Sequence, residues 1–147
     1  MLHAERHAEM TWEGNLAQGK GTIRLGSGAV EELPMTWAAR AEQPGGKTSP
    51  EELIGAAHAG CYAMALALTL TEAGNQPERL QVAATCTLEE VADKPRITRM
   101  DLEVRGRVPG LDAPAFERAA RQAEQLCPVS NALRNNVAIH LNAHLES

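Results

Sequence analysis

The chain has 147 residues, is 44% apolar but only 3% aromatic, and carries a formal charge of −5. Its 14 Lys and Arg residues are scattered, which excludes the basic stripe that nucleic-acid binding requires, and an anionic membrane would repel the same surface. No basic start leads into an apolar signal region, and no uninterrupted apolar run reaches about 18 residues. The expectation is therefore a cytoplasmic protein of one domain, 1–147.

The first forty residues read as strands, with turns around Gly19–Gly21 and Gly26–Gly28. Thr36 to Glu42 alternates and carries Trp37 and Arg40, so it reads as a further strand. The stretch Gln43-Pro44-Gly45-Gly46-Lys47-Thr48 is a loop. Then comes a clear helix start. Ser49 is placed to cap, Pro50 suits the first helical position, and Glu52 completes a capping box with Ser49. The helical pattern runs through Leu53, Ile54, Ala57, Cys61, Met64, Ala65 and Leu68, and stops at Gly74. Its second half is apolar nearly all round, more than one small domain readily buries, which points to a partner subunit.

Two alternating strands follow, Leu80 to Leu88 and Met100 to Gly106, joined by a turn at Asp93-Lys94-Pro95. Asp112 caps a helix with Pro114 early in it and Phe116, Ala119, Ala120 and Ala123 on one face. After Cys127-Pro128, a short helix through Leu133 leads to a last strand, Val137 to Leu145. Strands, long helix, strands, helix, strand make an α+β fold.

Three widely spaced cysteines do not form a secreted disulfide framework. Cys61 lies mid-helix with His58 one turn back, an arrangement that is either a nucleophile–base pair or a polar rim. Cys127 stands before a short helix, where backbone N–H groups favour a thiolate; the alternative is a plain cap. Cys86 shares a strand face with Val82, Ala84 and Leu88 and reads as buried and inert. Arg40, Glu51 and Glu52 would matter only if they converged with a cysteine. His3 and His7, like His140 and His144, are four apart in strand-like stretches. That separation is about 13 Å, which argues against a metal site, and no cofactor motif occurs.

The run Ser49-Pro50-Glu51-Glu52-Leu53-Ile54-Gly55-Ala56-Ala57-His58-Ala59-Gly60-Cys61, followed by Cys127-Pro128-Val129-Ser130, resembles the OsmC/Ohr family of osmotically inducible and organic hydroperoxide resistance proteins. Trp12-Glu13-Gly14, Gly19-Lys20-Gly21-Thr22 and Val108-Pro109-Gly110 extend the resemblance over nearly the whole chain, and Ala-Ala-His before the first cysteine is closer to the OsmC branch. The resemblance implies antiparallel sheets around long central helices in an intertwined homodimer, with active sites at the subunit interface. It implies a peroxidase in which Cys61 becomes a sulfenic acid and Cys127 condenses with it to a disulfide. A dithiol, in this family a lipoyl group on a partner protein, restores the pair. By the same resemblance Arg40 holds Cys61 as thiolate and Glu51 holds Arg40. Glu51 and Cys61 are ten helical residues apart, about 15 Å, so sharing a site takes a helix break, expected at Gly55.

Two other classes stay open on the residues alone. A Cys61–His58 acyl-transfer enzyme or hydrolase would need an oxyanion hole and leaves Cys127 without a use. A thiol sensor or ligand carrier would oxidise without turning over.

Overall fold

The computed structural model describes residues 1–146. In chain order the elements are β1 (Ala8–Glu13), β2 (Lys20–Leu25), β3 (Leu33–Met35), α1 (Trp37–Ala41), α2 (Pro50–Glu72), β4 (Arg79–Val91), β5 (Lys94–Arg107), α3 (Ala113–Leu126), α4 (Pro128–Leu133) and β6 (Ala138–Leu145), an α+β fold. The chain divides into two compact units, Met1–Leu53 and the part from Ile54 onward.

In the first unit β1, β2 and β3 form an antiparallel meander. The strand expected over Thr36–Glu42 is instead the short helix α1. Thr36 is extended and its hydroxyl accepts the Ala39 N–H at 3.1 Å. That cap, with two alanines behind it, outweighs a short alternation. The loop then returns to β3, where the Thr48 N–H donates to the Pro34 carbonyl at 2.9 Å. This sets the start of α2 close to α1. The Ser49 hydroxyl accepts the Glu52 N–H at 3.1 Å as expected. The Glu52 carboxylate, however, accepts from the Thr48 hydroxyl at 2.8 Å, rather than folding back on Ser49.

In the second unit a three-stranded sheet, ordered β4-β5-β6, is covered on one face by helices. Met100, Leu102 and Val104 of β5 point into that covered face and are at most 1% exposed. Leu102 and Val104 meet Tyr62, Leu66 and Leu70 of α2 and Phe116 and Ala123 of α3 in one core. Each large side chain there contributes about 1.5–3 kcal/mol by leaving water. The opposite face, with Arg99, Glu103, Arg105, His140, Asn142 and His144, is polar and exposed. The β4–β5 turn falls at Ala92 and Asp93, with φ of 51° and 63°, one residue before the expected place. Two positive φ values in a two-residue loop match the twist of the paired strands. β6 pairs with β5 in parallel, because α3 and α4 carry the chain back between them.

Two glycines allow close approach here. A Cβ on Gly106 would lie 2.5 Å from the Phe116 ring, and one on Gly55 would lie 3.3 Å from the Ala84 carbonyl oxygen. Gly55 is therefore where α2 crosses β4. The helix does not break there; it continues to Glu72, as the expected break does not allow for. By length and composition α2 could cross a membrane, but its Tyr62, Leu66 and Leu70 form the middle of a protein core.

Candidate active site

Cys127 sits at a junction. α3 ends on it, with its N–H donating to the Ala123 carbonyl at 2.9 Å, and α4 begins after it with Pro128 at the first helical position. Its sulfur accepts the Ser130 N–H at 3.5 Å and is fully buried. Cys61, on α2, is half-buried and is also a thiol. It packs, with Val129, against the core cluster that contains Cys127. The two cysteines singled out in the sequence, 66 positions apart, are thus brought together in one cluster.

Burial pushes the Cys61 thiol up from its ordinary value. The Val129 N–H, which stabilises the thiolate, pulls it down, and the adjoining Cys127 pushes it up again. The net direction is upward, opposite to the lowered value that an arginine beside the thiol would produce.

His58 lies one turn before Cys61 on α2 and is fully buried. Its Nε2 stands 2.7 Å from Ser130 Oγ, and among the described residues Nδ1 has no hydrogen-bond partner. The imidazole therefore faces Ser130 of α4, and the Cys61–His58 pair that an acyl-transfer enzyme needs is not formed. Burial pushes His58 below its ordinary value, and the negative Glu124 offsets this in part. Ser130 was visible in the sequence only as part of the motif after Cys127; no local pattern points to a partner 72 positions away.

Arg40 and Glu51 meet in the first unit. The Arg40 Nε and Nη2 groups donate to the two Glu51 oxygens, each at 2.9 Å. The guanidinium also lies 5.9 Å from the centroid of the Trp37 ring, a cation–π distance. Glu51, not Glu52, is the partner, and its side chain is nearly buried. Cys86 lies opposite Met100 and is half-buried rather than buried, because β4 is an edge strand of its sheet. His140 and His144 lie in β6, as expected, whereas His3 and His7 precede β1. Among the described residues no cluster of metal-ligating side chains occurs. Met64 and Leu68 stand on an outer face of α2, 72% and 55% exposed.

The family model described as OsmC-like protein matches residues 43–142. The chain is 41% identical over 128 residues to the peroxiredoxin OsmC of Escherichia coli strain K12, covering 87% of this chain and 89% of that one. It is 29% identical over 98 residues to the organic hydroperoxide resistance protein of Xanthomonas axonopodis pv. citri, covering 66% and 67%. The crystal structure of the organic hydroperoxide resistance protein OhrB of Bacillus subtilis shares the fold, with a TM-score of 0.71 at 22% identity over 94% of this chain and 98% of that chain. The chain belongs to the OsmC/Ohr family.

Proposed function

We propose that this protein is a thiol peroxidase that reduces organic hydroperoxides, with residues 1–147 acting as one OsmC-like domain. The observation that carries this reading is that Cys61 packs against the cluster that holds Cys127, the residue that opens α4. A half-buried thiol beside a fully buried one suits a nucleophile that meets substrate and a second thiol that resolves it.

The reaction runs in three steps. The Cys61 thiolate attacks the terminal oxygen of R–O–O–H; the O–O bond breaks, and the alkoxide takes a proton and leaves as alcohol. Cys61 is now a sulfenic acid. The Cys127 sulfur attacks it, the S–S bond forms and the S–O bond breaks, and hydroxide leaves with the Cys127 proton as water. A dithiol, such as a lipoyl group on a partner protein, then reduces the disulfide by exchange and is itself oxidised.

Burial raises the Cys61 thiol within one chain, which favours an activating group supplied by a second copy. Ten residues of unbroken helix put about 15 Å between Glu51 and Cys61, so the Arg40–Glu51 pair serves the cysteine of a second copy. The outer face of α2, with Ala56, Gly60, Met64 and Leu68 exposed, supports a homodimer. Nothing lies within 4 Å of a Cβ built on Gly60, which leaves room for a second helix. Arg40 then holds Cys61 as thiolate and polarises the peroxide, and Met64, Leu68 and Trp37 line an apolar site that favours alkyl peroxides. The protein works in the cytoplasm, where dithiol reductants keep it turning over.

Steady-state consumption of cumene hydroperoxide with dihydrolipoamide tests the reading. We expect turnover, a higher kcat/KM than with hydrogen peroxide, and a dimer mass by light scattering. Stoichiometric oxidation without turnover identifies a thiol sensor and overturns the peroxidase; a monomer overturns the shared site.

A further inference from the structure

Two rungs join α2 to the first turn of α4. Cys61 packs against the cluster that holds Cys127, and His58 meets Ser130 with Nε2 and Oγ 2.7 Å apart. The spacing is three residues on both sides, from Cys127 at the cap of α4 to Ser130 within it, and the order is reversed, 58 to 130 and 61 to 127, as between antiparallel helices. Residues three apart share a helix face, so the rungs stand one turn apart. Ser130 belongs to both: its N–H donates to Cys127 Sγ at 3.5 Å while its side chain holds His58. Both His58 and Ser130 are 0% exposed. Burying an imidazole is costly unless something holds it, and none of the three peroxidase steps uses this one. Nε2 and Ser130 Oγ share one hydrogen bond, and among the described residues Nδ1 has no partner.

Building on the peroxidase reading, we propose that the His58–Ser130 pair is the positioning device that keeps Cys127 within bonding reach of Cys61. Disulfide closure is intramolecular, and its rate depends on how narrowly the two sulfurs are confined. α4 has only six residues, so the rung beside the thiols sets its place against α2. Without the rung the first turn of α4 drifts, and the Cys61 sulfenic acid waits longer for Cys127. A second peroxide then reaches it and carries it to sulfinic acid. The first attack by Cys61 comes before any of this and needs neither His58 nor Ser130.

The test uses the full-length chain with Ser130→Ala, His58→Gln, the double variant and Ser130→Thr, which keeps the hydroxyl. One measurement follows rapid mixing with cumene hydroperoxide and separates consumption of the first equivalent from disulfide closure, with mass spectrometry of Cys61. The other is the equilibrium of the Cys61–Cys127 disulfide against dithiothreitol, which involves no peroxide. We expect consumption of the first equivalent to be unchanged. Closure should slow about tenfold in Ser130→Ala and in His58→Gln, with more sulfinic acid per turnover. The disulfide equilibrium should shift about tenfold towards the dithiol, which is about 30 mV. The double variant should be no worse than either single one, and Ser130→Thr should behave as wild type. Closure and equilibrium at wild-type values in both single variants overturn the proposal, as does an equal slowing of the first step, the mark of general packing damage. Should wild type consume no peroxide while the equilibrium still shifts, the positioning role stands and the peroxidase reading falls.

Discussion

The Arg40 guanidinium closes on the Glu51 carboxylate with two parallel hydrogen bonds of 2.9 Å, and the two ends of this pair are unequally buried. The Glu51 side chain is 8% exposed and that of Arg40 is 32% exposed. Removing the arginine strands a carboxylate in a nearly dry place. Removing the glutamate leaves a cation that can turn to water. Arg40→Ala should therefore cost more stability than Glu51→Ala, of order 2 kcal/mol against about 1, between the values for buried and exposed pairs. Urea unfolding of the two variants and their double decides it; equal losses would show that burial of the carboxylate does not matter.

His58 predicts a pH dependence of stability. Burial holds its folded-state value below the ordinary 6.5, with Glu124 opposing in part. Above 6.5 the ring is neutral in both states and nothing is lost. As pH falls through 6.5 the unfolded chain takes up a proton that the folded chain refuses, so stability drops, by at most about 1.4 kcal/mol per pH unit from this one group. The decline continues down to the folded-state value. Unfolding free energies between pH 7.5 and pH 5 should show this slope in wild type and a flatter one in His58→Gln. Identical slopes would mean that other groups account for it.

Gly106 carries a packing prediction. A methyl group there would meet two ring carbons of Phe116 at 2.5 Å and Leu80 at 3.2 Å, and the Phe116 ring is fully enclosed. Neither β5 nor α3 can retreat without opening the core beneath it. Gly106→Ala should cost about 1–3 kcal/mol, enough to lower Tm by several degrees in a domain of this size. A Tm unchanged within one degree would show that Phe116 repacks freely.

These consequences separate what was legible in the sequence from what was not. The boundaries of α2 were: Ser49 and Pro50 start it, and Gly74, with φ of 86°, stops it. The buried face of β5 was, because Met100, Leu102 and Val104 alternate with charged residues. The parallel pairing of β6 follows from two intervening helices, which the alternation within the strand does not show. α1 was missed because a short alternation, Thr36 to Glu42, looks alike in a strand and in a five-residue helix. The break expected at Gly55 came from asking one chain to bring Glu51 to Cys61, whereas that glycine serves the approach of α2 to the Ala84 carbonyl. The His58–Ser130 contact depends on how α4 docks against α2. Periodicity within either helix carries no trace of it.

If Arg40 of one copy activates Cys61 of the other, mixed dimers should regain what each variant lacks. Cys61→Ser has no nucleophile and should consume no peroxide. Arg40→Ala keeps the nucleophile but leaves the Cys61 thiol pushed up by burial, so less thiolate is present at neutral pH and the rate should fall at least tenfold, recovering as pH rises. In a heterodimer of the two variants, one site combines both substitutions, lacks nucleophile and arginine alike, and is dead. The other pairs an intact Cys61 with an intact Arg40 and is complete. A twofold dimer has two equivalent sites, so the purified heterodimer should turn over at about half the wild-type rate. If Arg40 acted within its own chain, every site in the heterodimer would lack one of the two groups, and no activity beyond that of the Arg40→Ala dimer would appear. Co-expression with two different affinity tags, followed by steady-state assay of the doubly tagged species, distinguishes the two arrangements.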